Sequence, residues 1–142
     1  MIGKGNWFNL VLMKNRIFIG LLLLLVFACN KGGSEIEMVS PEQVYEAVYN
    51  GEQTDIQLVD VRKESEYEVS HLKDAQNICV SGEDFKEKVA VLDKSKPVYV
   101  YCKGGGESAQ AAEILKKMGF TQVYDLQGGI DNWQDSGLET VN

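Results

Sequence analysis

Proline and cysteine are scarce in this 142-residue chain, two of the first and three of the second, and histidine occurs once. With 44% hydrophobic residues, so little proline excludes a collagen-like or proline-rich disordered chain. Three cysteines are too few for a disulfide-stapled scaffold, although one suffices for a reactive thiol. The lone histidine, His71, excludes a histidine-rich metal site, and with Cys79 and Cys102 it makes no zinc spacing. Neither a metal nor another cofactor is expected. Bases are also in deficit: 14 Lys+Arg face 21 Asp+Glu, for a net charge of −7. Nucleic acid is therefore not an expected partner, because polyanions are held by Lys and Arg. The apolar run Ile17 to Ala28 has twelve residues, short of the roughly 20 that a membrane-spanning helix needs. What is present is enough for one domain.

The acids are unevenly placed. Residues 1–28 hold Lys4, Lys14 and Arg16 and no acid, which leaves residues 29–142 with 21 acids against 11 bases. Basic residues followed by a short apolar run form the pattern of an export signal. Its end, Val26-Phe27-Ala28-Cys29, resembles a bacterial lipobox. That resemblance implies a signal peptide over 1–28 and a diacylglycerol on Cys29. Residues 29–35 would then be a lipidated cysteine and a flexible tether, holding residues 36–142 in the cell envelope on the periplasmic or outer-membrane side. Several acyl chains make a durable anchor.

The remaining residues alternate between helical and extended patterns. Ser40-Pro41-Glu42-Gln43 reads as an N-cap, a proline at the first helical position and a capping-box glutamine. The helix it opens carries Val44, Ala47 and Val48 on one face and stops at Gly51. Strands are expected at Ile56–Val61, Gln76–Val80, Pro97–Tyr101 and Gln122–Leu126. Further helices are expected at Glu64–Ser70, Asp84–Leu92 and Glu107–Met118, with Gly119 as a C-terminal cap, and a last one carries Trp133. Alternating strands and helices imply an α/β fold with a parallel sheet covered on both faces. Sites in such folds gather at the carboxyl ends of strands.

Cys102 stands at one such end, directly after the charge-free run Pro97-Val98-Tyr99-Val100-Tyr101 and directly before Lys103-Gly104-Gly105-Gly106. Glycines let a loop curl until successive N–H groups converge on one anion. The helix that follows adds its positive N-terminal end. Both effects favour the anionic, reactive form of a thiol. A bland alternative is a small buried residue before a flexible turn.

The domain from about Ile36 to Leu138 resembles the rhodanese family in three blocks. The first is Asp60-Val61-Arg62, Glu66-Tyr67, His71-Leu72, Ala75 and Asn77-Ile78. The second is Tyr99-Val100-Tyr101-Cys102 through Ser108-Ala109 and Ala111-Ala112. The third is Leu126, Gly128-Gly129 and Trp133. The resemblance implies a mostly parallel five-stranded sheet flanked by helices, and sulfurtransferase activity. Cys102 would be the nucleophile that takes sulfane sulfur from a small donor anion such as thiosulfate, or from a persulfide. It would pass that sulfur to a thiol or cyanide acceptor, splitting one transfer into two displacements. Lys103, Gly104, Gly105, Gly106, Glu107 and Ser108 would form the substrate-binding loop, with Asp60, Arg62 and His71 as supports.

The chain departs from the family in places. The family loop often reads Cys-Arg-Ser-Gly-x-Arg-Ser, whereas this one reads Cys-Lys-Gly-Gly-Gly-Glu-Ser. Glu107 in place of arginine repels a dianionic donor, which opens an alternative: a module that carries or senses persulfide with little turnover. Ser108 stands where a phosphatase Cys-x5-Arg loop needs arginine, and no Cys-x-x-Cys pair supports a dithiol oxidoreductase. Ser70 and Asp74 replace family glycines, so the path of that loop is expected to differ. Cys79 reads as an inert half of the remaining thiols.

Overall fold

The computed structural model describes residues 35–52 and 55–142. The expected signal peptide over 1–28, the expected lipidated Cys29 and residues 30–34 of the expected tether lie outside the described residues. Among the described residues no helix is long and apolar enough to cross a membrane.

Five strands form one sheet: β1 (Ile36–Val39), β2 (Gln57–Asp60), β3 (Gln76–Asn77), β4 (Val98–Tyr101) and β5 (Val123–Leu126). Their order is β1-β5-β4-β2-β3, and every neighbouring pair is parallel. The helices are α1 (Pro41–Tyr45), which runs on into a π-turn over Glu46–Asn50, α2 (Glu64–Tyr67), α3 (Phe85–Val89), α4 (Gly106–Lys117) and α5 (Gly129–Asp135).

The capping box at Ser40 forms in full. Gln43 N–H donates to Ser40 Oγ at 3.3 Å, and Ser40 N–H donates to Gln43 Oε1 at 2.8 Å. Two orphan donors are thereby satisfied where the chain leaves β1. β4 is buried along its whole length, which is why it reads as an unbroken run of Val and Tyr rather than as an alternation. Its side chains divide the core. Val98, Val100 and Cys102 face Phe85 and Val89 of α3 and Ala111, Ala112 and Leu115 of α4. Tyr99 and Tyr101 face Val44 of α1 and Ile130 and Trp133 of α5.

β1 was not among the strands expected from the residues. It is a four-residue edge strand whose only fully buried residue is Val39, so it carries no period-2 signal. Pairing with β5 creates it, through Ile36 opposite Val123 and Val39 opposite Leu126. β3 is shorter than expected because only Gln76 and Asn77 pair regularly with β2. Ile78 and Val80 still donate to Asp60 O and Val61 O. The helices at 64 and 85 also end short, each after about one turn. Asp74 has φ +64°, the left-handed turn that favours glycine.

Candidate active site

The carboxyl ends of β2, β4 and β5 meet around Cys102, one residue past β4. The cysteine is 2% exposed. Gly105 N–H donates to its Sγ at 3.0 Å. Gly105 precedes α4 with φ +109°, a left-handed conformation open to glycine and costly for other residues. Among Gly104, Gly105 and Gly106, only Gly105 needs this freedom. A methyl group added at Gly104 or Gly106 would meet nothing within 4 Å. The loop thus has one glycine that its conformation requires, one N–H on the sulfur, and then the first turn of α4, whose leading N–H groups have no partner within the helix.

A second pair of glycines holds the outer wall. Ile130 N–H donates to Cys102 O at 2.9 Å, and Asp131 N–H to Lys103 O at 3.1 Å. The start of α5 is thus pinned to the backbone of the nucleophile. Gly129 lies so close that a Cβ there would sit 2.4 Å from both Cys102 O and Lys103 O.

Asp60 and Arg62 form a buried ion pair rather than a surface one, at 0% and 4% exposure. Arg62 Nε donates to both carboxylate oxygens at 3.0 Å, Nη2 donates to Oδ2, and the Arg62 backbone N–H adds a bond at 2.9 Å. Burial works against the guanidinium charge, but the hydrogen bonds and charge of Asp60 outweigh it and raise the Arg62 pKa. Arg62 Nη2 also donates to Ser70 O at 2.7 Å. Beside it the Tyr101 hydroxyl accepts from Leu72 N–H at 3.0 Å. Burial, and then the Asp60 charge, push the Tyr101 phenol pKa upward.

Arg62 therefore holds Ser70 while Tyr101 holds Leu72, and the ion pair makes no hydrogen bond to the loop 103–108. Arg62 and Lys103 meet only as neighbours lining an open hollow of about 260 Å3, with Glu66, Val69, Ile130 and Asp131.

His71 stands apart from the sulfur. Its Nδ1 lies 2.9 Å from Tyr67 O, and because a carbonyl only accepts, that nitrogen carries the proton. Its ring stacks on Tyr67 at 3.8 Å, and its backbone bridges Val141 through two bonds of 2.8 Å. It holds the C-terminal residues. Glu107 is half-buried in the first turn of α4, where an acid suits the helix dipole. It has no ion-pair partner among the described residues. Cys79 is half-buried, its Sγ 3.2 Å from Ser81 Oγ.

One residue escaped the sequence reading. Asp125 is 1% exposed in β5, and its Oδ1 has no hydrogen-bond partner. The available signal was a carboxylate interrupting the apolar strand Val123-Tyr124-Asp125-Leu126. Burial pushes its pKa upward, and the Ser108 hydroxyl beside it brings it part of the way back. In the unfolded chain an Asp ionises near pH 3.9. As pH rises past that point the unfolded chain gives up a proton that the fold retains, so Asp125 costs stability at higher pH and costs nothing below it. Asp125→Asn should therefore gain stability over the native chain at pH 7 and gain less at pH 4, as read by urea denaturation at both values. An equal gap at the two values would refute the linkage.

Residues 40–136 match the family model for a rhodanese-like domain. A thiosulfate sulfurtransferase, GlpE, of Actinobacillus pleuropneumoniae is 35% identical over 100 residues, covering 70% of this chain and 88% of that protein. The protein YqhL of Bacillus subtilis is 40% identical over 77 residues, which is 54% of this chain and 60% of YqhL. This chain thus spans less than two thirds of YqhL. Among solved structures, a rhodanese-related protein of Thermoplasma volcanium superposes with a TM-score of 0.64 at 28% identity, covering 74% of this chain and 97% of the other. The sheet order, the cysteine at the end of its central strand and these matches agree: the chain belongs to the rhodanese-like domain family, which includes thiosulfate sulfurtransferases.

Proposed function

We propose that this chain transfers sulfane sulfur through a persulfide on Cys102. The Cys102 thiolate attacks the outer sulfur of thiosulfate or of a low-molecular-weight persulfide. A bond forms between Sγ and that sulfur while the donor's own sulfur–sulfur bond breaks, and sulfite or a thiolate leaves with the electron pair. A thiol or cyanide then attacks the terminal sulfur, and Cys102 departs as thiolate. The observation that carries this reading is the Gly105 N–H on Cys102 Sγ at 3.0 Å, because a donor already aimed at the sulfur stabilises negative charge without reorganisation.

The same reading places the domain on a lipid at Cys29, in a bacterial cell envelope. One experiment addresses both parts: mass spectrometry of the full chain after exposure to thiosulfate, polysulfide or glutathione persulfide. The expected outcome is acylation and a free start at Cys29, with a one-sulfur gain on the peptide holding Cys102. No gain from any donor would overturn the transfer reading, and an unmodified Cys29 would overturn the anchor.

Glu107 favours a second reading, in which the domain carries or senses persulfide and turns over thiosulfate slowly. Its carboxylate has no ion-pair partner among the described residues and stands in the first turn of the helix beside the sulfur. Reversing that charge should raise the local concentration and reactivity of a dianion. Glu107→Arg is expected to increase thiosulfate:cyanide transfer by about five-fold, with a smaller effect on a monoanionic persulfide. An unchanged thiosulfate rate in the folded variant would count against this electrostatic account.

A further inference from the structure

The hollow beside the nucleophile carries charges that sulfur transfer by itself does not use. It adjoins Cys102 through the backbone: Lys103 follows the cysteine in the chain, and Ile130 N–H donates to Cys102 O at 2.9 Å. Its charged lining is Arg62, Lys103, Glu66 and Asp131. Arg62 is already answered by the buried Asp60 carboxylate, through bonds from Nε and Nη2. Lys103 and Asp131 are exposed and Glu66 is half-buried. None of these three has an ion-pair partner among the described residues.

One unpaired ammonium is therefore set against two unpaired carboxylates around the same space. Glu107, in the first turn of α4, adds a third carboxylate on the far side of the cysteine loop. A small dianion entering here meets more repulsion than attraction. A ligand with an ammonium group meets the reverse, and a carboxylate on that ligand still finds Lys103. Groups of both signs on the wall thus complement a ligand that itself carries both signs. Size points the same way. A volume of about 260 Å3 falls below the roughly 300–1,000 Å3 of sites for drug-sized ligands, which suits a molecule of amino-acid size.

We propose that Glu66 and Asp131 are specificity-determining residues of the sulfur site: they admit a thiol that bears an ammonium group, of the cysteine class, in preference to a simple anion. The proposal rests on the sulfur-transfer reading for its chemistry. The amino-acid thiolate attacks the terminal sulfur of the Cys102 persulfide. A sulfur–sulfur bond forms in a free persulfide, which keeps the terminal hydrogen. The bond to Sγ breaks, and Cys102 leaves as thiolate with the electron pair. Throughout, the carboxylate of the acceptor pairs with Lys103 and its ammonium with Glu66 and Asp131.

The test loads the full chain with sulfur from polysulfide and compares L-cysteine with N-acetyl-L-cysteine as acceptors. The two differ at the amine, and their intrinsic reactivities cancel when native and variant chains are measured on the same pair. Asp131→Asn and Glu66→Gln should each lower the ratio of kcat/KM for cysteine over N-acetylcysteine by about fivefold, the upper scale of one exposed ion pair. The change should lie in KM, as for an interaction made equally in the bound and transition states. The double variant should lower the ratio by about tenfold or more. S-methyl-L-cysteine, which cannot accept sulfur, gives a readout free of the chemistry. Its saturable NMR shifts at Lys103 and at residues 130–134 should need more ligand in each variant, by the same factor.

An unchanged ratio in both single variants would overturn the proposal. So would N-acetyl-S-methyl-L-cysteine binding the native chain as tightly as S-methyl-L-cysteine does. A ratio that fell through kcat alone would overturn it as well, because the acids would then act on the loop and not on the amine. If S-methyl-L-cysteine bound as expected while no acceptor, cyanide included, took sulfur from the chain, the selectivity of the hollow would stand and the sulfurtransferase reading would fall.

Discussion

Arg62→Ala is expected to lower the unfolding free energy by about 3–5 kcal/mol, the range for removing one partner of a buried ion pair. The effect is large because of what remains. Asp60 is 0% exposed, and three of the four hydrogen bonds to its carboxylate come from the Arg62 side chain, through Nε and Nη2. Without the guanidinium, that charge keeps one backbone N–H and has little access to water. Ser70 O loses its donor at the same time, so the segment leading to β3 loosens as well.

The converse variant, Asp60→Ala, should cost less. Arg62 would keep Ser70 O and borders the open hollow, where its charge can recover some hydration. Replacing both with apolar residues of similar size should recover much of the single-variant loss. Chemical denaturation of the three variants at pH 7 measures the ordering. A loss below about 1 kcal/mol in Arg62→Ala would put the pair among solvent-screened surface bridges, against the burial described above.

Gly129→Ala should disable the site and destabilise the fold together. The added Cβ would lie 2.4 Å from two carbonyl oxygens, Cys102 O and Lys103 O, and both belong to backbone with no rotamer to swing aside. The φ of +60° at this position adds about 1–2 kcal/mol for a residue with a side chain. A combined loss of about 3 kcal/mol or more is expected, on the scale of other forced backbone shifts. Relief can come only by moving α5 or the loop after the nucleophile. Either movement breaks the bonds from Ile130 and Asp131 to that loop, and a shift of about 1 Å at a nucleophile costs on the order of a hundredfold in rate. Gly104→Ala is the matching control, since its Cβ would meet nothing within 4 Å. Thermal unfolding and transfer kinetics on both variants test the contrast, and native rates in Gly129→Ala would sink it.

What could be read beforehand was whatever announces itself locally. The Ser40 capping box, the Gly119 stop and the buried run at Val98–Tyr101 depend on neighbours in the chain, and each formed where the residues placed it. The place of Cys102 at a strand end followed from the same run. β1 was illegible because its stability comes from β5, more than 80 residues away in sequence. The burial of Asp60 and Arg62 was equally hidden: Asp-Val-Arg looks the same on a surface, and only the covering segment at Ser70 to Leu72 removes it from water. Asp125 was overlooked because an acid in a strand says nothing of the helix above it. Gly105 could not be told from Gly104 and Gly106 until the backbone showed which of the three bends back on the sulfur.

The strand order carries a consequence for synthesis. β5, the last in chain order of the five described strands, lies between β1 and β4, and α5 after it ties down the loop behind Cys102. A chain emerging from the ribosome, N-terminus first, holds β1 without its sole partner until β5 has cleared the exit tunnel. It holds an unfastened nucleophile until Gly129 to Asp131 follow. Assembly of this face therefore waits for the segment from β5 to α5, and a chain cut before Gly128 would hold every residue of the cysteine loop and no wall to set it against.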